Sequence, residues 1–338
     1  MRQILEQYGF DVTDCRMRQY GNGLINKTWL LEYRSLGFIL QEINQQVFHS
    51  PVDIAYNLKL ITDHLEEVHP GYLFVAPLLT PQGANMVQCQ GGYFRIFPFV
   101  QHSHTSDVVE TPEEAYEAAK QFAGFTRNLC GLDPNKLKVT IPHFHDLTLR
   151  YLQFELALLH GDPTRIKQAK SLITFITDHR KISGEFEYHR ADLKIRCMHH
   201  DTKISNVLFD GNNRALCVID LDTVMPGYFT SDVGDMMRTY LCPVSEEEAD
   251  LSKICIRREF YTAIVEGYIE AMKDELRESE KEHFILSGKF MIYMQAIRFL
   301  TDHLNGDIYY GAKYEGHNLV RAANQVELLE RLIEFEKP

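Results

Sequence analysis

The sequence predicts an α+β protein of two lobes, in which an antiparallel sheet lobe precedes a mainly helical lobe. The residues up to about 100 are rich in short strand-like segments, and the later residues keep the apolar spacing of helices. A strand-rich island interrupts the helical part at 192–222. We expect the lobe boundary after residue 98, which gives lobes of 1–98 and 99–338.

The first lobe is expected to contain a sheet and at least one long helix. Pro51 occupies a favourable first helical position, and Ile54, Leu58, Ile61 and Leu65 follow it at helical spacing. A short helix is expected at 1–9. The predicted strands cover 15–20, 27–33, 37–43, 84–90 and 93–100.

The second lobe is expected to be helical on both sides of the island. Pro112 begins a helix that should end near Gly131, and Ser231 and Asp232 mark the ordinary start of a helix over 233–241. Further helices are expected at 147–159 and 163–182. Within the island, the predicted strands cover 195–198, 206–209 and 216–219.

The composition of the 338 residues excludes several classes of protein. A net charge of -12 argues against a nucleic-acid partner, although ATP would need only a few local cations. No apolar run has membrane-spanning length, and the N-terminal segment lacks the apolar core of a signal peptide. The seven cysteines form no C-x-x-C pair. We therefore expect a cytoplasmic protein with reduced thiols and no membrane partner, and no pattern indicates an oligomeric state.

The island carries polar residues at the spacing of a phosphoryl-transfer site. His199, Asp201 and Asn206 form H-x-D-x-x-x-x-N, the spacing of a protein kinase catalytic loop, with Lys203 inside it. Asp220 ends a later apolar run, where the magnesium-binding aspartate of such kinases would stand. A charged surface loop is the alternative, but five positions of the expected residue types at fixed spacing between strands favour a functional site.

Each of these residue types meets a need of phosphoryl transfer. Asp201 would orient the acceptor hydroxyl and take its proton, and Lys203 would offset charge on the γ-phosphate. Asn206 and Asp220 would hold Mg²⁺ through hard oxygen ligands. Asp222 lies on the same side of its strand as Asp220, so a second metal ligand, a substrate-orienting group and a cap all remain open. We expect the side chains at 201, 206 and 220 to converge in one cleft.

The nucleotide side is predicted from weaker signals. Gly21, Asn22 and Gly23 join two predicted strands, where glycines allow close approach to phosphates, although a plain hairpin turn explains them equally well. Phe97 and Phe99 would flank the hinge that meets the adenine edge, and an ordinary core strand is the alternative. Together with Gln41 of the third strand, these five residues are the candidates for ATP contact on the first lobe.

The third strand lacks the lysine that a protein-kinase-like lobe offers to the phosphates. Gln41 stands in its place and brings no charge. We expect either that magnesium carries more of the neutralisation or that another cation, such as Lys27, reaches the phosphates.

A metal-dependent hydrolase and a non-catalytic nucleotide-binding protein are rival hypotheses. His143 and His145 form an H-x-H that, with His199, Asp201 and Asp220, has the residue types of a metal centre. The H-x-H precedes a predicted helix rather than ending a strand, which favours a structural loop.

The catalytic island resembles the aminoglycoside phosphotransferase and choline kinase superfamily, and within it most of all the N-acetylhexosamine 1-kinases. The likeness rests on His199-x-Asp201-x-Lys203-x-x-Asn206 and on Ile219-Asp220-Leu221-Asp222. Other similar segments are Gly21-x-Gly23-x-Ile25-Asn26, Ile39-Leu40-Gln41, His143-Phe144-His145-Asp146, Thr223-Val224-Met225-Pro226-Gly227, Arg298-Phe299-Leu300 and His317-Asn318-Leu319-Val320-Arg321.

The resemblance implies a protein-kinase-like fold that uses ATP and Mg²⁺ to phosphorylate the anomeric hydroxyl of a free N-acetylhexosamine. Tyr228, Arg298 and Asp302 would line the sugar pocket, beside Asp201 and Asp222 as substrate-contacting groups. Arg298 and Asp302 are one helical turn apart, so an ion pair within the helix is the alternative. Another sugar or an amino alcohol remains a possible acceptor.

Overall fold

The computed structural model describes residues 1–21 and 25–337. Its backbone contacts group the chain into two compact units that alternate along the sequence. Unit 1 comprises Met1–Thr105, Asn128–Pro142 and Asn206–Pro226, and unit 2 comprises Ser106–Arg127, His143–Ser205 and Gly227–Pro338. A division of the chain into lobes at residue 98 stays a prediction.

Unit 1 contains the antiparallel sheet that the sequence predicts for the N-terminal part. Its five strands lie in the order β1-β2-β3-β5-β4. The register pairs Gln41 on the third strand with Thr28 on one side and Arg95 on the other. The nine strands of the described chain are β1 Cys15–Gln19, β2 Lys27–Tyr33, β3 Leu36–Glu42, β4 Val87–Cys89, β5 Gly92–Pro98, β6 Arg196–Met198, β7 Val207–Phe209, β8 Ala215–Val218 and β9 Met225–Gly227.

One face of this sheet packs against the first helix. Ile4 and Leu5 of that helix join a core with Leu31, Leu40 and Ile96, which are buried on successive strands. Alternate residues of a strand face opposite sides of a sheet, so the side chain of Gln41, next to Leu40, is directed to the other side. The same holds for Arg95 beside Ile96.

Unit 2 is built mainly of helices around one long central helix. The helices of the described chain are α1 Arg2–Gln7, α2 Pro51–Val68, α3 Pro112–Asn128, α4 Leu147–His160, α5 Pro163–Gln168, α6 Lys170–Asp178, α7 Lys181–His189, α8 Phe229–Tyr240, α9 Arg258–Met272, α10 Glu278–Lys281, α11 Phe284–Leu304 and α12 His317–Glu336. The central helix α11 packs against α4, α8 and α12. A Cβ at Gly234 of α8 would lie 2.4 Å from the carbonyl oxygen of Ser287, so α8 and α11 approach too closely there for any side chain.

The structure differs from the sequence prediction at several element boundaries. The helix predicted over 163–182 is interrupted at Ala169, whose ψ of 8° leaves helical geometry, and again between Asp178 and Lys181. The strand predicted from residue 84 begins only at Val87, because Thr80 and Ala84 close a turn through their backbones. The helix predicted from residue 233 begins at Phe229, so Ser231 and Asp232 lie inside its first turn.

A helix must be both long and apolar to cross a bilayer. None of the helices in the described part of the chain meets both conditions.

Candidate active site

The loop over 199–204, which we call the catalytic loop, follows the buried strand β6 and is fastened to α8. The carboxylate of Asp232 accepts hydrogen bonds from the backbone N–H groups of His199 and His200, at 3.1 and 2.8 Å. The hydroxyl of Thr202 donates to the carbonyl of Asp232 at 2.8 Å. The carboxylate of Asp235 accepts from the N–H of Thr202 at 2.9 Å. Buried donors and acceptors of the loop are thus satisfied by one face of one helix.

A second set of contacts holds Asp235 itself. Arg238, one turn later on α8, donates to Asp235 Oδ1 from Nε at 3.0 Å and from a terminal nitrogen at 2.8 Å. The same guanidinium reaches Glu246 at 2.6 Å, and Arg321 also pairs with Glu246. The hydroxyl of Tyr240 donates to the carbonyl of Thr202 at 2.5 Å. The catalytic loop therefore rests on a buried charged network rather than on apolar packing alone.

Burial also changes the pKa values of the two supporting carboxyl groups. Burial raises the pKa of Asp232 from 3.8 to about 7, although the hydrogen bonds from His200 and His199 act in the opposite direction. Burial also raises the pKa of Asp235, and the charge of Arg238 opposes this shift. These two groups are closed to solvent, so they support the loop and are not placed to meet a substrate.

Asp201 and Lys203 are the two loop residues whose side chains face outward. Lys203 Nζ lies 3.1 Å from Asp201 Oδ1, and their side chains are 45% and 16% exposed. The sequence predicted Asp201 as the base and Lys203 as the phosphate-facing cation. The structure places them side by side in unit 2, and their catalytic roles stay predictions.

Two histidines complete the base of the catalytic loop. His199 is fully buried, and its ring meets Phe122 edge-on at 5.0 Å between centroids. His200 has a positive φ of 66°, and its Nδ1 lies 3.1 Å from the carbonyl of Met198. A Cβ at Gly227 would lie 2.3 Å from His200 Nε2. The imidazole of His200 fills the space that a side chain at 227 would need, which explains the glycine at this position.

In unit 1, the hairpin β7–β8 brings the two predicted metal ligands to the same end of a ladder. Val207 pairs with Val218, and the N–H of Ile219 donates to the carbonyl of Asn206 at 2.9 Å. Asp220 follows Ile219 directly and is exposed, with the left-handed backbone angles φ 59° and ψ 62°. An amide oxygen and a carboxylate carried at neighbouring backbone positions are a donor set that suits Mg²⁺.

Asp222 is held quite differently from Asp220. Its side chain is 1% exposed, and Oδ1 forms an ion pair with Arg95 at 2.5 Å. Its other oxygen, Oδ2, accepts from the amide of Asn26 at 2.7 Å, and Asn26 Oδ1 accepts from the N–H of Asn44 at 3.0 Å. Both carboxylate oxygens contact protein groups, which is compatible with a supporting role, and the substrate contact predicted for Asp222 stays a prediction.

Gln41 is likewise engaged by its neighbours. Its Oε1 accepts from Arg95 Nε at 3.1 Å and from a terminal nitrogen of Arg95 at 2.9 Å. Its Nε2 donates to the hydroxyl of Thr28 at 3.3 Å. Lys27, the cation suggested as a substitute, is 74% exposed and pairs with Glu42 at 3.3 Å. The buried cation beside Gln41 is Arg95, which no local sequence pattern singles out.

The remaining nucleotide candidates are described only in part. Asn22 and Gly23 lie outside the described residues. Gly21 has a φ of 74°, which glycine adopts without strain. Phe97 is half-buried on β5 with the guanidinium of Arg95 4.9 Å from its ring centre, and the N–H of Phe99 donates to the carbonyl of Gly37 at 3.1 Å. Nucleotide contact by these residues stays a prediction.

A cavity of about 400 Å³ lies in unit 2 beside Arg298. Arg298 donates to Gln295 at 3.1 Å and to the hydroxyl of Tyr309 at 3.5 Å. Asp302 accepts from the N–H groups of Tyr309 and Tyr310 at 2.7 and 2.8 Å, so it fastens the loop after α11 instead of serving Arg298. The lining includes Arg150, Gln153, His160, Arg298, Asp302 and Tyr310.

Tyr228, the other residue predicted to line the sugar pocket, immediately precedes α8 and is half-buried. Contact of Tyr228 with a sugar stays a prediction.

The H-x-H segment forms the entry to α4. His143 Nδ1 lies 2.9 Å from Asp146 Oδ2, while Asp146 Oδ1 caps the helix by accepting from the N–H of Leu149 at 2.9 Å. His145 is stacked on Phe144 at 4.3 Å, and burial lowers its pKa well below the ordinary value. Within residues 1–21 and 25–337, no group of three His, Cys, Asp or Glu side chains is arranged to hold a metal ion.

Sequence reasoning missed Asp232, Asp235 and Arg95. The spacing of Asp232 and Asp235 puts both carboxylates on one face of α8, which is a signal for a shared partner, but the partner is a loop earlier in the chain. For Arg95 no local pattern exists, because its partners lie on another strand and in the turn after β8.

Comparison with known proteins decides the family. Residues 16–278 match the sequence model described as the phosphotransferase enzyme family, APH. The chain belongs to this family. Its predicted chemistry class, phosphoryl transfer, is thereby confirmed, whereas its acceptor is not fixed by the match.

Solved structures of the same fold agree with this assignment. An aminoglycoside phosphotransferase from Alicyclobacillus acidocaldarius is 12% identical with a TM-score of 0.65, over 99% of this chain and 96% of that one. A microcompartment-associated aminopropanol kinase is 17% identical with a TM-score of 0.65, over 99% and 97%. A spectinomycin phosphotransferase in complex with ADP and spectinomycin is 12% identical with a TM-score of 0.56, over 98% and 97%. The likeness confirms the predicted protein-kinase-like α+β fold.

Proposed function

We propose that this protein is a kinase that uses ATP and Mg²⁺ to phosphorylate the anomeric hydroxyl of a free N-acetylhexosamine, giving the sugar 1-phosphate. The observation that carries the proposal is the catalytic loop. Its backbone is bound to two buried aspartates of α8, while Asp201 and Lys203 are directed outward. The complex of a same-fold phosphotransferase with ADP supports an adenine nucleotide as the donor.

In this proposal Asp201 serves the acceptor. The acceptor oxygen forms a bond to the γ-phosphorus, the bond from that phosphorus to the β-phosphate oxygen breaks, and ADP leaves. The hydroxyl proton passes to the Asp201 carboxylate and then to solvent. An anomeric hydroxyl is more acidic than other sugar hydroxyls, so a carboxylate is a sufficient base. Lys203 offsets the negative charge on the transferred group.

Asn206 and Asp220 would hold the magnesium ion. Their oxygen donors and their adjacency at the end of the β7–β8 hairpin fit a hard divalent cation. When bound, Mg²⁺ would neutralise part of the negative charge of the triphosphate. The exposed carboxylate of Asp220 suits this role, whereas the buried Asp222 does not.

The cavity beside Arg298 supports a sugar rather than a cationic acceptor. A volume of about 400 Å³ falls in the usual range for small-molecule sites, roughly 300–1,000 Å³. Its lining contributes two guanidinium groups, from Arg150 and Arg298, against the single carboxylate of Asp302. The guanidinium groups donate to uncharged acceptors such as Gln153 and Gln295. Excess positive charge disfavours an amino alcohol or an aminoglycoside and leaves donors for sugar hydroxyl and acetamide oxygens.

The test is a panel of acceptors with ATP and Mg²⁺. It contains N-acetylglucosamine, N-acetylgalactosamine, unmodified hexoses, an amino alcohol and an aminoglycoside, and the products are examined by mass spectrometry and phosphorus NMR. The proposal expects turnover with an N-acetylhexosamine and a phosphate coupled to carbon one. Preferential phosphorylation of the amino alcohol or the aminoglycoside would contradict it.

A further inference from the structure

Arg95 stands at the centre of a buried polar network in unit 1. We define the Arg95 network as Asn26, Gln41, Arg95 and Asp222. Arg95 and Asp222 have side chains that are each 1% exposed, and they pair at 2.5 Å. Gln41 accepts two hydrogen bonds from the same guanidinium, and Asn26 donates to the far oxygen of Asp222. The sheet is thus joined through side chains to the turn that follows β8.

Stability is a weak reason for a chain to bury such a pair. Removing two opposite charges from water is costly, and well-packed apolar residues of similar size often stabilise a fold equally well or better. A buried ion pair is better explained when its geometry serves something else. Here the carboxylate partner lies two residues after Asp220, the exposed candidate ligand for magnesium.

The backbone of Asp220 needs support from its surroundings. A left-handed conformation at φ 59° and ψ 62° costs some free energy in a residue other than glycine, although aspartate tolerates it better than most side chains, and surrounding contacts help to hold it. Before it, the N–H of Ile219 is bound to the carbonyl of Asn206. After it, the pair of Asp222 with Arg95 holds the chain, and Asn57 of α2 donates to the carbonyl of Val224 at 3.1 Å.

We propose that Arg95 is a positioning residue of the magnesium–nucleotide site, which fixes the backbone of Asp220 by clamping Asp222. The inference rests on the proposed use of Mg-ATP. Arg95 acts through Asp222 and does not touch the nucleotide. Because the turn is already fixed, its backbone needs no further ordering for the Asp220 carboxylate to bind the metal of Mg-ATP.

The same arrangement accounts for glutamine where kinases of this fold were expected to carry a strand lysine. Gln41 supplies the acceptor oxygen for two Arg95 donors. A lysine at 41 would remove that acceptor and place a second positive charge beside the guanidinium. Gln41→Lys should therefore weaken Mg-ATP binding, although it restores the charge that the sequence pattern lacks.

The test compares Arg95→Met, Asp222→Asn, the double variant and Gln41→Lys with the full wild-type chain. Two quantities are measured for each: the melting temperature, and the Mg²⁺ concentration that gives half-maximal ATP binding by calorimetry. Arg95→Lys is the conservative variant, because one ammonium can keep the pair with Asp222. Lys289→Met is the matched control, since Lys289 is also a buried cation paired with a carboxylate, Glu336, but lies on α11.

The proposal expects Arg95→Met and Asp222→Asn to raise the half-maximal Mg²⁺ concentration roughly 10–100-fold. The double variant should regain melting temperature relative to the single variants, because no unpaired charge remains buried, yet keep the weakened Mg²⁺ response. Arg95→Lys should recover part of that response, and Lys289→Met should lower the melting temperature alone.

An unchanged Mg²⁺ response in Arg95→Met and in the double variant, beside a wild type that binds Mg-ATP, would overturn this inference alone. A Mg²⁺ response that returns in step with melting temperature in the double variant would also overturn it, since the pair would then be structural. A wild type that does not bind Mg-ATP would overturn the proposed function together with the inference.

Discussion

At the scale of single residues, exposure divides the aspartates around the site into two groups. Asp201 and Asp220 keep carboxylates that solvent reaches, whereas Asp222, Asp232 and Asp235 are buried. The buried ones accept from backbone N–H groups or pair with arginines. We infer that the exposed carboxylates carry the chemistry and that the buried ones fix the backbone that presents them.

Removing the carboxylate of Asp201 should separate catalysis from nucleotide binding. Because Asp201 is proposed to serve the acceptor hydroxyl, Asp201→Asn should lower kcat roughly 10²–10⁴-fold and leave the Kd for Mg-ATP unchanged. Steady-state kinetics and calorimetry measure the two quantities, with Glu66→Gln on the exposed face of α2 as the control. Full turnover in Asp201→Asn would remove the proposed base.

The buried carboxyl of Asp232 should make stability depend on pH. Burial raises its pKa from 3.8 to about 7, so between these values the folded protein holds a proton that the unfolded chain releases. The stability due to this proton is full below pH ~4 and is lost as the pH rises towards 7.

Asp232→Asn removes this group and isolates its effect. The free energy of unfolding of wild type minus that of the variant should fall as the pH rises through the window and level off above it. Urea unfolding at several pH values measures the difference. A difference that does not vary with pH would show that Asp232 titrates alike in the folded and unfolded chain.

The site residues that could be predicted from sequence are those that belong to a motif of fixed local spacing. Asp201, Lys203, Asn206 and Asp220 stand at fixed intervals around short strands, and the structure confirms the loop and hairpin that carry them. Arg95 has no such spacing, because it meets its partners through sheet register and a distant turn. Side chains that act by positioning other residues are the hardest to predict from a single sequence.

At the scale of elements, hydrogen bonds join the catalytic loop and α8 into one assembly. Asp232, Asp235 and Tyr240 contact the loop from successive turns of the helix. Gly234 lets α8 lie directly against α11. A displacement of α8 would therefore move the catalytic loop as a whole.

Gly227→Ala tests this assembly of loop and helix by disturbing the packing of His200. The added Cβ would lie 2.3 Å from His200 Nε2 inside a buried space, so the imidazole or the loop must shift. We expect a loss of about 1–3 kcal/mol in the free energy of unfolding, together with a fall in kcat larger than any change in ATP affinity.

Gly124→Ala is the matched control for Gly227→Ala. Gly124 lies within α3 with no atom near the added Cβ, so the change should stabilise the helix by about 0.5–1 kcal/mol. Chemical unfolding and kinetics measure both variants. An unaltered kcat in Gly227→Ala would show that the loop tolerates movement of His200.

Elements with strong local signals were predicted well, and those ended by tertiary contacts were not. The hydrophobic spacing after Pro51 gives α2 with its predicted start. The start of α8 was placed four residues late, because Ser231 and Asp232 resemble a cap. Asp232 instead uses its carboxylate for the catalytic loop, a partner that local sequence does not reveal.

At the scale of the whole molecule, the functional candidates are divided between the two units. Asp201 and Lys203 belong to unit 2, and the chain enters unit 1 at Asn206, the first candidate metal ligand. Their convergence in one cleft stays a prediction. The family match ends at residue 278, before α11 and the loop that carry Arg298 and Asp302. The match therefore covers the catalytic loop and the β7–β8 hairpin, while the roles of Arg298 and Asp302 in acceptor choice stay predictions.

The central claim is transfer of phosphate to an anomeric hydroxyl, and one comparison of acceptors tests it most directly. Wild-type protein is given ATP and Mg²⁺ with either free N-acetylglucosamine and N-acetylgalactosamine or their methyl glycosides, which keep every hydroxyl except the anomeric one. Phosphorus NMR then follows both reactions. We predict that phosphate reaches only the free sugars, as the 1-phosphate. Phosphorylation of a methyl glycoside, or of neither kind of sugar, would contradict the account.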